Sequence, residues 1–248
     1  MFLGSTYPKI LELPSISVII PVYHDAAALA RTLTSADFAG VDLIVSSPSE
    51  DDSLGALRLA HPGITWIEAP RGRGRQMNAG AGVARGDWLV FLHADTRLPH
   101  LWRRAIADAD QSRARYAIGC FRFALDSTSP FARLIEFGVR LRVSLFRLPY
   151  GDQGLFLRRE LFDALGGFAD LPIMEDVDLV RRARAYGRLF RSPLPAVTSA
   201  RRWEQDGWIA RTTRHLALIL LYFCGVPPSR LSRLDSERRS ASNPAPQA

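Results

Sequence analysis

P-R-G-R-G-R-Q-M-N-A-G-A-G-V-A-R-G-D-W-L-V-F-L-H-A-D-T-R-L-P runs from Pro70 to Pro99. It reads as a Gly- and Arg-rich loop, a short helix and a buried strand. The strand, Trp88 to Leu92, is an unbroken apolar run of the kind a central parallel strand shows. It ends abruptly in His93, Asp95, Thr96 and Arg97. Open α/β sheets bind ligands beyond the carboxyl ends of their strands. Asp95 therefore stands where chemistry is expected, and Arg71, Arg73 and Arg75 precede it in the loop. A carboxylate suited to a hard cation, beside guanidinium groups suited to phosphate, points to a nucleoside-diphosphate site.

Upstream, Ile16 to Pro21 reads as a first strand and Asp25 to Phe38 as a helix with Leu29 and Leu33 four apart. Val41 to Val45 and Ile64 to Ile67 are further strands, with a helix from Leu54 to His61 between them. Downstream, Pro99 to Asp110 reads as a helix with Leu101, Trp102, Ala105 and Ile106 on its apolar side. Ala117 to Leu125 is a strand. Residues 130 to 148 form an Arg-studded apolar stretch, either a helix lying on a membrane surface or one covering an acceptor site; the second is favoured. The turn Tyr150-Gly151-Asp152-Gln153-Gly154 sets two hydroxyl-binding side chains between glycines. A helix starts at Met174-Glu175-Asp176-Val177, and a short strand follows from Gly187 to Pro195. Gly207 to Val226 reads as one tail helix, packing on the core, a second subunit or lipid. Alternating strands and helices predict an α/β fold with a mostly parallel, Rossmann-like sheet and a C-terminal helical segment. The expected division is 15–200 for the catalytic domain, 201–234 for a helical extension and 235–248 for a disordered tail.

The chain has 248 residues, 47% of them hydrophobic, which suits one large domain with a real core. Its formal charge is +7, and Lys9 is the only lysine. An arginine excess fits contacts with phosphate or anionic lipid. The basic residues are scattered and no nucleic-acid module is present, so nucleic acid is not an expected partner. Cys120 and Cys224 show no zinc or redox spacing, and both read as buried free thiols in a reducing cytoplasm. The N-terminal residues do not read as a signal peptide, and no apolar run is long enough to span a membrane.

The motifs R-G-R-G-R-Q-M-N-A-G-A, F-L-H-A-D-T, G-D-Q-G and M-E-D-V together resemble the family 2 inverting glycosyltransferases of GT-A fold. They resemble most a bacterial subfamily often labelled arsenosugar biosynthesis glycosyltransferases. The resemblance covers roughly Ser15 to Arg233. It implies that Pro21 and Tyr23 lie against the nucleotide base, with His24 in place of the usual asparagine. Ser47 falls where the family carries a base- or ribose-binding aspartate, and Asp52 falls on the second aspartate of that motif. Asn78 and Gly80 match positions on the helix under the donor. His93-Ala94-Asp95 stands for D-x-D, so Mg²⁺ or Mn²⁺ is expected on Asp95 and diphosphate oxygens. Asp176 takes the general-base position, with Glu175 orienting the acceptor. Gly151, Asp152 and Gln153 face the sugar or acceptor. Arg201 or Arg202 reaches the diphosphate, and Trp203 stacks on the acceptor. The Gln of the processive Q-x-x-R-W element is absent, so polymer extrusion is not expected.

The expected activity is transfer of a sugar from a nucleoside-diphosphate donor, with UDP-sugars favoured, to a small or lipid-linked hydroxyl. The expected location is cytoplasmic, with peripheral membrane contact or a homodimer through the tail. Two other readings are carried: a nucleotidyltransferase of related fold, and a nucleotide-sugar-binding adaptor with weak turnover, which Ser47 and His93 favour.

Overall fold

The computed structural model describes residues 13–112 and 115–242. Its elements run β1 (Ile16–Pro21), α1 (Ala26–Ser35), β2 (Asp42–Ser47), α2 (Gly55–Ala60), β3 (Thr65–Glu68), α3 (Arg73–Val83), β4 (Trp88–Phe91) and β5 (Thr96–Arg97). Then come α4 (Trp102–Gln111), β6 (Tyr116–Leu125), α5 (Pro130–Phe146), β7 (Leu155–Arg158), α6 (Arg159–Ala164), α7 (Glu175–Ala183) and β8 (Arg188–Thr198). The tail is α8 (Arg201–Asp206), α9 (Trp208–Phe223) and α10 (Pro228–Ser242).

One sheet of order β3-β2-β1-β4-β7-β6-β8-β5 carries the fold. The β3-β2-β1-β4 half is parallel throughout, β7 enters antiparallel between β4 and β6, and β6 and β8 are again parallel. The central strands are buried on both faces. Val18 and Ile20 of β1 join Val90, Leu29 and Ile106 in one core, under α1 and α4. Ile19, Leu89 and Phe91 point the other way, into a second core with Met77, Val177 and Val180 of α3 and α7. Alternate residues of a strand face opposite sides, so a single apolar run fills both layers.

The helix after the arginine loop is held unusually close. A Cβ on Gly80 would lie 2.4 Å from Ile19 Cγ2, so only glycine lets α3 sit this tightly on β1. Buried Gln76 completes the attachment: its Nε2 donates to the carbonyls of Val22 (2.8 Å) and Ser46 (2.9 Å). Both carbonyls lie at the ends of β1 and β2, and that of Ser46 also accepts the Val22 amide at 2.9 Å, so Gln76 ties the two strand exits together. The family-like R-Q-M-N-A-G run is therefore largely an anchoring device.

Several expectations need correction. Arg73 and Arg75 belong to the first turn of α3, not to a loop. Leu101 is exposed, because α4 begins one residue later. The last strand, β8, runs on to Thr198, pairing along β6. The expected tail helix is α9; what the sequence did not announce is the separate short helix α8 before it, set off by Gly207, whose φ of +83° suits glycine. Helix α10 continues to Ser242, where composition suggested disorder from 235; residues 243–248 lie outside the described residues, as do 1–12. Cys120 is buried, its thiol pushed up to about 12 by burial, but Cys224 is exposed. Helix α5 turns Leu134, Phe137, Leu141 and Leu145 outward rather than over a site. Among the described residues no helix is long and apolar enough to cross a membrane.

Candidate active site

The site lies at the carboxyl end of β4, where the chain leaves the sheet through His93, Ala94 and Asp95. The short strand β5 then pairs with the end of β8, Thr96 opposite Thr198. Their hydroxyls are 2.9 Å apart, and Thr198 Oγ1 donates to the Asp152 carbonyl at 3.0 Å. The Ser199 amide donates to the Asp95 carbonyl at 3.0 Å. These bonds bring the exits of β4 and β8 and the G-D-Q-G turn to one point.

A cavity of about 390 Å³ opens there. Its polar lining includes Arg73, His93, Asp95, Asp152, Asp176 and Arg202. Asp176 is the second residue of α7 and is buried. Its Oδ2 accepts the Gly151 amide at 2.7 Å and its Oδ1 accepts the Val177 amide at 2.8 Å. The carboxylate is thus fixed by two backbone N–H groups at a helix N-terminus, where negative charge is favoured. Met174, just before the helix, has φ +68°, a strained setting for a side-chain-bearing residue, and it also lines the cavity.

Gly151 matters for a steric reason. A Cβ there would lie 2.6 Å from His93 Nε2 and 3.3 Å from Asp176 Oδ2. The imidazole is held neutral, its pKa pushed well below the ordinary value by burial and then by Arg73 and Arg202. His93 Nε2 and Asp152 Oδ1 are both enclosed and have no hydrogen-bond partner among the described residues. Enclosure raises the Asp152 carboxyl to about 6; Arg142 opposes the rise, while Asp176 and Asp95 add to it.

Arg73 pairs through Nε with buried Glu175, and its guanidinium lines the cavity. Its pKa is raised: burial works against the charge, and the fields of Glu175, Asp176 and Asp152 outweigh it. Arg202 lies 4.0 Å from Asp95 and 3.8 Å from Asp25. Arg201 bonds Asp25 at 2.5 Å. Trp203 lines the same cavity, with the Arg211 guanidinium 5.0 Å from its ring centroid.

The expected residues divide into two groups. Arg73, His93, Asp95, Asp152, Asp176, Arg202 and Trp203 converge on the cavity, with Gly151 and Glu175 directly behind it. The others have different partners. Arg75 forms a two-pronged pair with Asp170, at 2.6 and 2.8 Å, on the surface. Arg71 lies over the Tyr23 ring, 4.6 Å from its centroid, outside the cavity lining. Asn78 closes the Gly166-Gly167-Phe168 turn, donating to the Phe168 carbonyl and accepting its amide, both at 2.8 Å. Gln153 is buried, donates to the Phe121 carbonyl at 3.0 Å and accepts from Arg142. The Ala94 carbonyl accepts from the Thr32 hydroxyl at 2.7 Å. Ser47 Oγ accepts from Arg58 at 3.2 Å, Pro21 is paired with Ser46 inside the sheet, and Asp52 is exposed.

Sequence reasoning passed over Asp51. It accepts the His24 amide at 2.8 Å and bonds Ser53, tying the exit of β1 to the turn after β2. Burial raises its carboxyl, but these hydrogen bonds outweigh that and hold it below the usual range. His24, Asp51 and Asp52 are the one group of three metal-ligand types lying close together among the described residues, and Asp51 is already engaged within it. Also missed was a whole wall of the cavity: Arg211, His215 and Leu218 of α9, and Asp235 of α10. Arg211, His215 and Leu218 recur at helical spacing and so share one face of α9, and the two polar members of that face are a signal that could have given it away.

The sequence model of glycosyl transferase family 2 matches residues 17–169. The succinoglycan biosynthesis protein ExoO of Rhizobium meliloti (strain 1021) is 31% identical over 119 residues, covering 45% of this chain and 34% of that protein. The match thus spans about a third of that relative's length. Among solved structures, the mannosyltransferase PcManGT from Pyrobaculum calidifontis, in complex with GDP-Man and Mn²⁺, superposes with a TM-score of 0.59 at 19% identity. The superposition covers 89% of this chain and 67% of that one. Residues 1–349 of TarS from S. aureus superpose with a TM-score of 0.57 at 14% identity, covering 82% and 64%. At such identities these likenesses speak for the fold, which is GT-A. The nucleotidyltransferase reading is left without support. The chain belongs to glycosyl transferase family 2.

Proposed function

We propose that this enzyme moves a sugar, with inversion, from a nucleoside-diphosphate donor to a hydroxyl of a small or lipid-linked acceptor, UDP-sugars being the favoured donors. The observation that carries the reading is that Asp95 and Asp176, from different ends of the fold, line one cavity. Inverting displacement needs a carboxylate to take the acceptor proton on one side of the sugar and positive charge at the leaving diphosphate on the other.

In this reading Asp176 is the general base. Its two backbone hydrogen bonds fix the carboxylate, and each oxygen retains a lone pair for the acceptor hydroxyl. Glu175 does not touch the acceptor; it positions Arg73. Arg73 and Arg202 hold the diphosphate from the cavity wall, and Trp203 presents an apolar face to the acceptor. The lining suits a divalent cation: the Asp95 carboxylate faces the cavity, and Asp152 Oδ1 is an enclosed oxygen without a partner among the described residues. Mg²⁺ or Mn²⁺ held by Asp95 and diphosphate oxygens would supply charge neutralisation for the leaving group.

Asp176→Asn tests the assignment. Calorimetry against a panel of nucleotide sugars with Mn²⁺ should show unchanged donor binding. Transfer, or donor hydrolysis where no acceptor is found, should fall by about 10²–10⁴-fold. Wild-type turnover in that variant would remove Asp176 from the mechanism.

A further inference from the structure

The catalytic reading leaves an apolar surface on α5 and α9 unused. On α5, Leu134, Phe137, Leu141 and Leu145 follow one another at three- and four-residue steps, so they share a helix face, and they are 48–66% exposed. On α9, Leu216, Leu220 and Phe223 do the same and are 52–64% exposed. The inner faces of the two helices meet in one hydrophobic cluster, through Val143 and Ile219. The helices are therefore neighbours, and both turn large apolar side chains to solvent.

The solvent-facing charges of α5 and α9 themselves have one sign. Arg133, Arg140 and Arg147 recur every seven residues along one side of α5, and all three are exposed. The only acidic residue of α5, Glu136, is buried, accepts the Leu125 amide and pairs with Arg133. Helix α9 contains no acidic residue at all. Arg181 reaches the far end, its guanidinium 5.6 Å from the Phe223 ring centroid. An apolar stripe with a cationic rim and no exposed carboxylate on either helix matches a surface that is apolar beneath and negatively charged above. A second copy of the chain is a poor match, because a two-fold contact would set one cationic rim against another with no exposed carboxylate on either helix to offset it.

We propose that the outer face of α5 and α9 docks this enzyme onto an anionic lipid bilayer, the two helices lying in the headgroup region. The contact proposed is a surface one, made by side chains of two helices that are themselves packed on the sheet. Helix α9 lines the catalytic cavity with Arg211, His215 and Leu218. Once docked, it forms both the lipid contact and one wall of the site. The docking stands whichever donor or acceptor the cavity takes.

The test is co-sedimentation of the full chain with phosphatidylcholine vesicles, with and without phosphatidylglycerol, over a range of salt. The wild type should pellet with the anionic vesicles, and salt should weaken the binding. Phe137→Glu with Leu141→Glu should lower binding by about tenfold or more. Arg140→Ala with Arg147→Ala keeps the apolar stripe and should by itself weaken binding and flatten the salt dependence. Thermal melting of each variant keeps folding separate from binding. The proposal fails if the wild type stays in the supernatant with both vesicles, or if folded variants bind as it does. It also fails if sedimentation equilibrium shows a stable dimer that Phe137→Glu splits, which would make this face a contact between copies.

Discussion

Asp152 offers the sharpest test of the site, because its environment is unfavourable to its own charge. Its carboxyl is raised from 3.8 to about 6, chiefly by enclosure, with Asp176 and Asp95 adding repulsion. A group whose folded pKa exceeds its unfolded value binds a proton more tightly when folded. Its charge therefore destabilises the fold above pH ~6, and the penalty fades as pH falls towards ~4. The shift corresponds to at most about 3 kcal/mol at pH 8 and to roughly 0.5 kcal/mol at pH 4. Access of water through the cavity mouth brings the upper figure down, to about 1–3 kcal/mol. Asp152→Asn removes the charge while keeping the shape. Urea unfolding followed by tryptophan fluorescence should find the variant more stable than wild type at pH 8, with the gap closing toward pH 4. In melting temperature the pH 8 gain is about 2–4 °C per kcal/mol. Transfer activity should fall at the same time, since a destabilising carboxylate in a binding cavity is retained for its chemistry. A gap that does not change with pH, or a variant less stable at pH 8, would refute the reasoning.

Asp95→Ala should abolish the Mn²⁺ dependence of donor binding, read by calorimetry with and without the ion. Gly80→Ala forces a Cβ to 2.4 Å from Ile19 and should destabilise by about 1–3 kcal/mol in urea unfolding, despite alanine's better helix propensity. Asn78→Ala removes both hydrogen bonds to Phe168 and should lower stability by about 1–3 kcal/mol while leaving donor affinity in the folded protein unchanged. A selective loss of donor affinity would return Asn78 to the binding site.

The layout of the parallel half was legible because each strand carries its own instructions. Val18, Ile19 and Ile20 must face opposite layers, and the apolar run at Trp88 needs two covered faces wherever it sits. The abrupt change after Leu92 marked the strand end, and with it Asp95. The start of α7 was equally readable from its clustered carboxylates. What residue type alone did not state was each side chain's partner. Arg75, Asn78 and Gln153 look like ligand-binding groups, yet each is occupied by Asp170, Phe168 or Phe121. A polar side chain binds whatever correct partner lies within about 3 Å, and no local pattern states that distance.

The amino-acid sequence by itself determined the alternation of buried strands and covering helices, the polar ends of those strands and the carboxylates placed there. Those features follow from periodicities of two and 3.6 residues, which act over a single element. Only the tertiary structure decided that Thr96 pairs with Thr198, that enclosed Asp152 shares a cavity with Asp95 and Asp176, and that α9 walls the cavity while exposing leucines to solvent. Those facts depend on separations between residues far apart in the chain, set by the packing of whole elements rather than by any residue's own neighbours.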